Sequence, residues 1–88
     1  MGLFFVYILY SREFSRPYIG QTDNLSARVR RHNAGGVPST RPFRPWVKIH
    51  SESFQTRSEA MARERWFKSG TGRKRVQVIV AEYLTKSG

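Results

Sequence analysis

The chain has 88 residues, with sixteen Lys+Arg against six Asp+Glu and a formal net charge of +10. Its 14% aromatic and 39% hydrophobic content excludes a disordered basic tail, and the absence of cysteine excludes a disulfide framework or a Cys-type zinc site. What remains is one compact basic domain over residues 1–88, whose charge attracts polyanions, nucleic acid foremost. A generally solvated basic surface and adhesion to acidic membranes are the blander readings of the same charge.

The apolar start from Leu3 to Tyr10 is too short to span a bilayer and has no basic region before it. It predicts no membrane anchor, and with the lack of cysteine it fits a soluble cytoplasmic protein. Phe4 to Tyr10 contains no polar interruption and reads as a strand buried on both faces. A polar loop, Ser11 to Arg16, then leads to a second short strand, Pro17 to Gln21, and its length suits a hairpin.

Thr22, Asp23 and Asn24 are N-cap residues, and Asn33-Ala34-Gly35-Gly36 is a stop, so a helix of about ten residues lies between them, with Leu25 and Val29 as its core stripe. Asn33 reads as a C-terminal cap. Ala34 to Pro45, rich in proline and glycine, reads as a surface loop, and Trp46 to Phe54 as a third strand. Thr56 and Glu59 form a capping box for a helix to about Lys68, ended by Gly70 and Gly72. Val76, Ile79, Val80, Tyr83 and Leu84 follow helical spacing despite their strand propensity, and a final helix is expected. The expected fold is α+β: a small, mainly antiparallel three-stranded sheet flanked by helices.

On the first helix, Arg28 and His32 flank the core stripe, about 60° and 20° from Leu25, while Arg30 and Arg31 point away. An inward arginine requires an anion, either a buried carboxylate or a bound phosphate. Glu64 is the one acid beside the apolar stripe of the second helix. It could pair with Arg28, or stay ionised among its basic neighbours and hold a magnesium ion. Tyr7 and Tyr18 sit mid-strand, and their phenols need partners. Gly20 permits close backbone approach, either to a phosphate or to the following helix.

Val6-Tyr7-Ile8, Tyr18-Ile19-Gly20, Arg28 ten positions after Tyr18, His32 one turn later and Glu64 on a later helix together resemble the GIY-YIG nuclease family. The resemblance covers nearly the whole chain and is strongest to small stand-alone members, as opposed to excision-repair or homing nucleases with added DNA-binding domains. In the first motif only the tyrosine of Gly-Ile-Tyr is kept, in Phe5-Val6-Tyr7. The resemblance implies that Tyr7, Tyr18, Arg28, His32 and Glu64 form the site. One tyrosine would serve as base and the other as a positioning or relay group, without a decision between them, and Glu64 would bind the metal, Mg²⁺ or Mn²⁺.

The same residues suit phosphodiester hydrolysis, which needs an activated water and positive charge on the developing phosphorane. A phenol is a poor base at neutral pH unless nearby cations stabilise its phenolate. Arg30, Arg31, Arg41, Arg44 and Lys48, with the run Arg73-Lys74-Arg75, are the expected nucleic-acid contacts. Trp46 and Trp66 read either as core or as base-stacking residues. The expectation is a Mg²⁺-dependent endonuclease acting on DNA sooner than RNA, whose specificity comes either from a protein partner or from branched, nicked or single-stranded structure in the substrate, and which in a bacterium associates with the nucleoid. The rivals are a nonenzymatic nucleic-acid-binding module and a basic accessory protein of the ribosome or nucleoid.

Overall fold

In the computed structural model, which describes residues 2–87, the first strand divides its side chains between two layers. This strand, β1 (Phe4–Ser11), is central in an antiparallel sheet between β2 (Arg16–Thr22) and β3 (Val47–Phe54). Val6 and Ile8 face α2 (Arg57–Lys68) and α3 (Gly70–Ser87), and with Ala60, Phe67, Val76 and Ile79 they form one buried cluster. Tyr7 and Leu9 face the opposite way, toward α1 (Leu25–Asn33), and pack with Trp46 beneath Tyr18, Leu25, Val29 and Phe43. Coverage on both faces explains the unbroken apolar run of β1. The fold is the expected α+β arrangement.

Local chemistry sets the ends of each helix. Asn24 caps α1 by accepting a hydrogen bond from the Ala27 N–H, and Gly35 stops it at φ 85°, a conformation that suits glycine. Asn33 is not the cap. It is the last helical residue, and its side chain both accepts from the Trp46 N–H at 2.7 Å and donates to the Trp46 carbonyl at 2.9 Å. Thr56 and Glu59 form the expected capping box at the start of α2.

Gly70 and Gly72 do more than stop a helix, because they occupy the first turn of α3 and only Ser69 separates α2 from α3. A side chain at Gly72 would overlap the Trp66 carbonyl and the Phe67 backbone, so glycine permits this tight elbow. Val76 and Ile79 are buried along α3 as the spacing predicts, whereas Leu84 is exposed. Burial of one helical stripe outweighs the strand propensity of its valines. The proline-rich segment after α1 is more ordered than expected, with a short 3₁₀ turn at Arg41–Phe43 and a buried Thr40. No helix among the described residues is long and apolar enough to cross a membrane.

Candidate active site

The centre of the site is Tyr7, which is 1% exposed. Its place on β1 aims it at α1, and its cross-strand partner on β2 is Gly20. A Cβ at position 20 would lie 2.5 Å from the Tyr7 hydroxyl oxygen and 3.1 Å from the Tyr18 ring. The room left by Gly20 is therefore filled by the Tyr7 phenol, and not by a phosphate or by the following helix, as the sequence had left open.

His32, on the inner flank of α1, is fully buried, and its Nε2 lies 2.9 Å from the Tyr7 hydroxyl. Its Nδ1 lies 2.8 Å from the Thr40 hydroxyl. The Thr40 hydroxyl donates to the Val37 carbonyl at 3.3 Å, so its oxygen is left to accept from Nδ1–H. This order of donors assigns the proton to Nδ1 and leaves Nε2 to accept from Tyr7. Trp46 holds the chain from outside by donating its indole N–H to the Thr40 carbonyl at 2.9 Å, and is itself clamped by Asn33.

The electrostatics favour the neutral forms of both rings. Burial raises the Tyr7 pKa, as do the Tyr18 phenol and the Glu64 charge, against an opposing pull from Arg28. Burial also lowers the His32 pKa, with Arg28 and Arg31 acting in the same direction. Tyr18 completes the aromatic group, its ring centroid 4.9 Å from His32 and 6.3 Å from Tyr7. It is half-buried, and its hydroxyl makes no hydrogen bond among the described residues.

Arg28 is half-buried on the same flank of α1 as His32. Among the described residues it has neither hydrogen bond nor ion pair. The ion pair with Glu64 is absent. Instead, Glu64 accepts from Lys68, one turn along α2, at 2.7 Å. The charges of both residues bear on the Tyr7 phenol, Arg28 lowering its pKa and Glu64 raising it.

The neighbouring Arg63 is differently engaged. It grips Glu52 of β3 with two nitrogens, at 2.8 and 3.3 Å, and lies over the rings of Trp66 and Phe67. That contact, with Trp66 itself packed against the core, fixes the rotation of α2 beside Glu64.

Among the described residues there is no group of three or more His, Asp or Glu side chains able to hold a metal. Magnesium needs no such cage, since it keeps several waters and takes one or two carboxylates together with phosphate oxygens. The single carboxylate of Glu64 fits that donor set once it leaves Lys68.

The basic residues divide between the layers. Arg30, Arg31, Arg41, Arg44 and Lys48 are exposed on or near the α1 side, while Arg73, Lys74 and Arg75 belong to α3, on the opposite face of the sheet. The Arg44 Nε donates to the Arg41 carbonyl at 2.9 Å, which ties part of this basic loop together. Trp46 is core and Trp66 packs against core, so both tryptophans take the structural of their two readings.

Thr40 was not recognisable from the sequence. A threonine in a proline-rich loop carries no motif, and its only prior trace is the need of a buried histidine for a partner on its second nitrogen.

This site is carried by a three-stranded antiparallel sheet with helices on both faces. The GIY-YIG catalytic domain family matches residues 3–77, and the chain belongs to that family. Its relatives include a UPF0213 protein of Bacillus velezensis, 42% identical over 83 residues and covering 93% of this chain and 83% of that protein. A UPF0213 protein of Staphylococcus haemolyticus is 38% identical over 80 residues, covering 90% of this chain and 96% of that one. The solution structure of a UPF0213 protein from Bacillus halodurans has the same fold, with a TM-score of 0.53 and 29% identity, over 90% of this chain and 84% of that one. The family supports a nuclease-like function, whereas the relatives' names specify no reaction.

Proposed function

We propose that the protein is a divalent-metal-dependent endonuclease that hydrolyses phosphodiester bonds in DNA, with Tyr7 as the proton acceptor, His32 as its relay, Arg28 on the phosphate and Glu64 on the metal. The observation that carries this reading is the buried Tyr7–His32–Thr40 chain beside a half-buried arginine that has no partner among the described residues. A core built only for stability has no use for an unpaired guanidinium, which is costly to desolvate unless an anion meets it.

In this scheme the Tyr7 proton passes to Nε2 of His32, which is free because Nδ1 carries its own proton to Thr40. In the same movement the Tyr7 oxygen takes a proton from water as the water oxygen attacks phosphorus, so the buried phenol, whose pKa is raised, never stands as a free phenolate. The P–O bond to the leaving oxygen breaks with its electron pair. Arg28 donates to the non-bridging oxygens, whose charge grows in the transition state. The Tyr18 hydroxyl, which has no hydrogen-bond partner among the described residues, orients the phosphate or the water. A cation held by Glu64 supplies further positive charge for the phosphate oxygens and the leaving group. Tyr7, not Tyr18, takes the role of base because its hydroxyl alone contacts the imidazole.

The test is a nicking assay on supercoiled, branched and single-stranded DNA with Mg²⁺ or Mn²⁺. Arg28→Ala and Glu64→Gln should each abolish cleavage while leaving the fold intact by circular dichroism. Equal cleavage by wild type and both variants would overturn the assignment. DNA binding without cleavage in any of these conditions would identify a nonenzymatic module.

A further inference from the structure

Across α1 from the candidate site, between its outer flank and β3, lies an open groove of about 610 Å³. Phe5, Leu25 and Val29 supply apolar floor, while Arg30 and Lys48 stand at its rim. Both cations are exposed, and neither has a hydrogen bond or ion pair among the described residues. The one acid lining the groove, Asp23, is faced by the Arg57 guanidinium at 3.8 Å, so free positive charge prevails at the rim. Sequence spacing separated Arg30 from Lys48 by half a helix, a proline-rich loop and the start of a strand. The fold brings both to one groove.

We infer that this groove seats an unpaired base of a single-stranded nucleic acid segment, with Arg30 and Lys48 on the flanking phosphates. The inference rests on the nucleic-acid reading above and narrows it to a class of substrate. Free cations above an apolar floor match the two surfaces of a single strand, its phosphates and its exposed base faces. A continuous duplex offers only the phosphates, because its base faces are stacked inside. The groove is also joined to the site. Arg28 and Arg30 lie on opposite flanks of α1, about 160° apart around the helix, so a strand held by Arg28 reaches the groove by crossing a width of about 10 Å.

The experiment compares, by fluorescence anisotropy, a labelled oligothymidylate, an abasic strand of the same length and a blunt duplex. Wild type should bind the oligothymidylate about 10-fold more tightly than the abasic strand, the scale of one seated base. Ser26→Asp places a carboxylate among the groove's lining residues, at the second position of α1, where it favours the helix. It should lower oligothymidylate affinity about 10-fold with an unchanged circular dichroism spectrum, and Lys48→Gln should weaken binding in the same direction.

Equal affinity for the base-bearing and abasic strands, tighter binding of the duplex, or indifference to Ser26→Asp would overturn the inference. So would sedimentation as a dimer that Ser26→Asp dissociates, since a second copy would then occupy the groove. A wild type that prefers the base-bearing strand yet cleaves nothing upholds the groove and refutes the hydrolytic reading, so the two failures are distinguishable.

Discussion

The Tyr7 hydroxyl meets Nε2 of His32 at 2.9 Å, with both side chains removed from solvent. Burial, Arg28 and Arg31 hold the imidazole below its ordinary pKa of 6.5, so it is neutral and able to accept at neutral pH. Cleavage should therefore persist through pH 6.5 and fall only in more acidic solution, as the imidazole becomes charged. His32→Gln should remove that acidic limb together with most of the rate. The check is the pH profile of kcat/KM for both proteins.

Thr40 acts through His32. Thr40→Val keeps the volume but leaves the Nδ1–H of a buried ring without an acceptor, which costs about 1–3 kcal/mol of stability. Cleavage should also fall, because the ring is no longer held in the tautomer that faces Tyr7. Thr40→Ser should restore both. Urea denaturation and single-turnover rates separate the effects, and a Val variant with wild-type rate would exclude the positioning role.

Gly20→Ala places a methyl 2.5 Å from the Tyr7 hydroxyl oxygen and 2.7 Å from its ring carbon. The phenol must move or the strands must part, with a cost of about 1–3 kcal/mol. Tyr7 would leave Nε2 of His32 even where the fold survives. We expect loss of cleavage out of proportion to the loss of thermal stability, read from activity and Tm on the same preparation.

Lys68 competes with any cation for Glu64, to which it donates at 2.7 Å. The pair is partly exposed and spaced one helical turn apart, so its loss should change stability by no more than about 0.5 kcal/mol. Lys68→Met should nonetheless lower the Mg²⁺ concentration needed for half-maximal cleavage. A metal titration measures this, and a higher requirement would show that Lys68 assists the site.

Three titrations shape stability against pH. Above its ordinary value of 10.0, Tyr7 stays protonated in the folded chain while the unfolded chain ionises, so stability falls as pH rises through that range. His32 is the converse: its neutral form is favoured by the fold, and stability declines as pH drops below 6.5. Burial acts to raise Glu52, but hydrogen bonds and charge from Arg63 and His50 outweigh it, so its contribution is lost as pH falls below 4.5. Thermal melts across pH should show a plateau with an alkaline shoulder and two acidic ones. His32→Gln should flatten only the acidic shoulder that begins at the higher pH.

Much of this architecture was legible because local signals agreed with global ones. The unbroken apolar run from Phe4 announced a strand covered on both faces, and the Thr56–Glu59 capping box placed the start of α2. The inward flank of α1 carrying Arg28 and His32 followed from helical geometry alone. Contacts between segments distant in sequence were not legible. Nothing local shows that Gly20 leaves room for Tyr7 or that Asn33 clamps Trp46. Thr40 is the extreme case, its importance arising from a histidine eight residues away.

The alternation of β1 has a consequence for how such a domain can change. Val6 and Ile8 belong to one layer, Tyr7 and Leu9 to the other, so a one-residue slip of this strand would exchange hydroxyl for hydrocarbon on both faces at once. In-register substitutions behave differently. Residues of α3 and the outer part of α2 can vary to tune durability, and residues of α1 and its following loop can vary to tune recognition, with little interference between them. The central strand thus acts as a partition wall, allowing one side of the molecule to be refitted while the other goes on bearing weight.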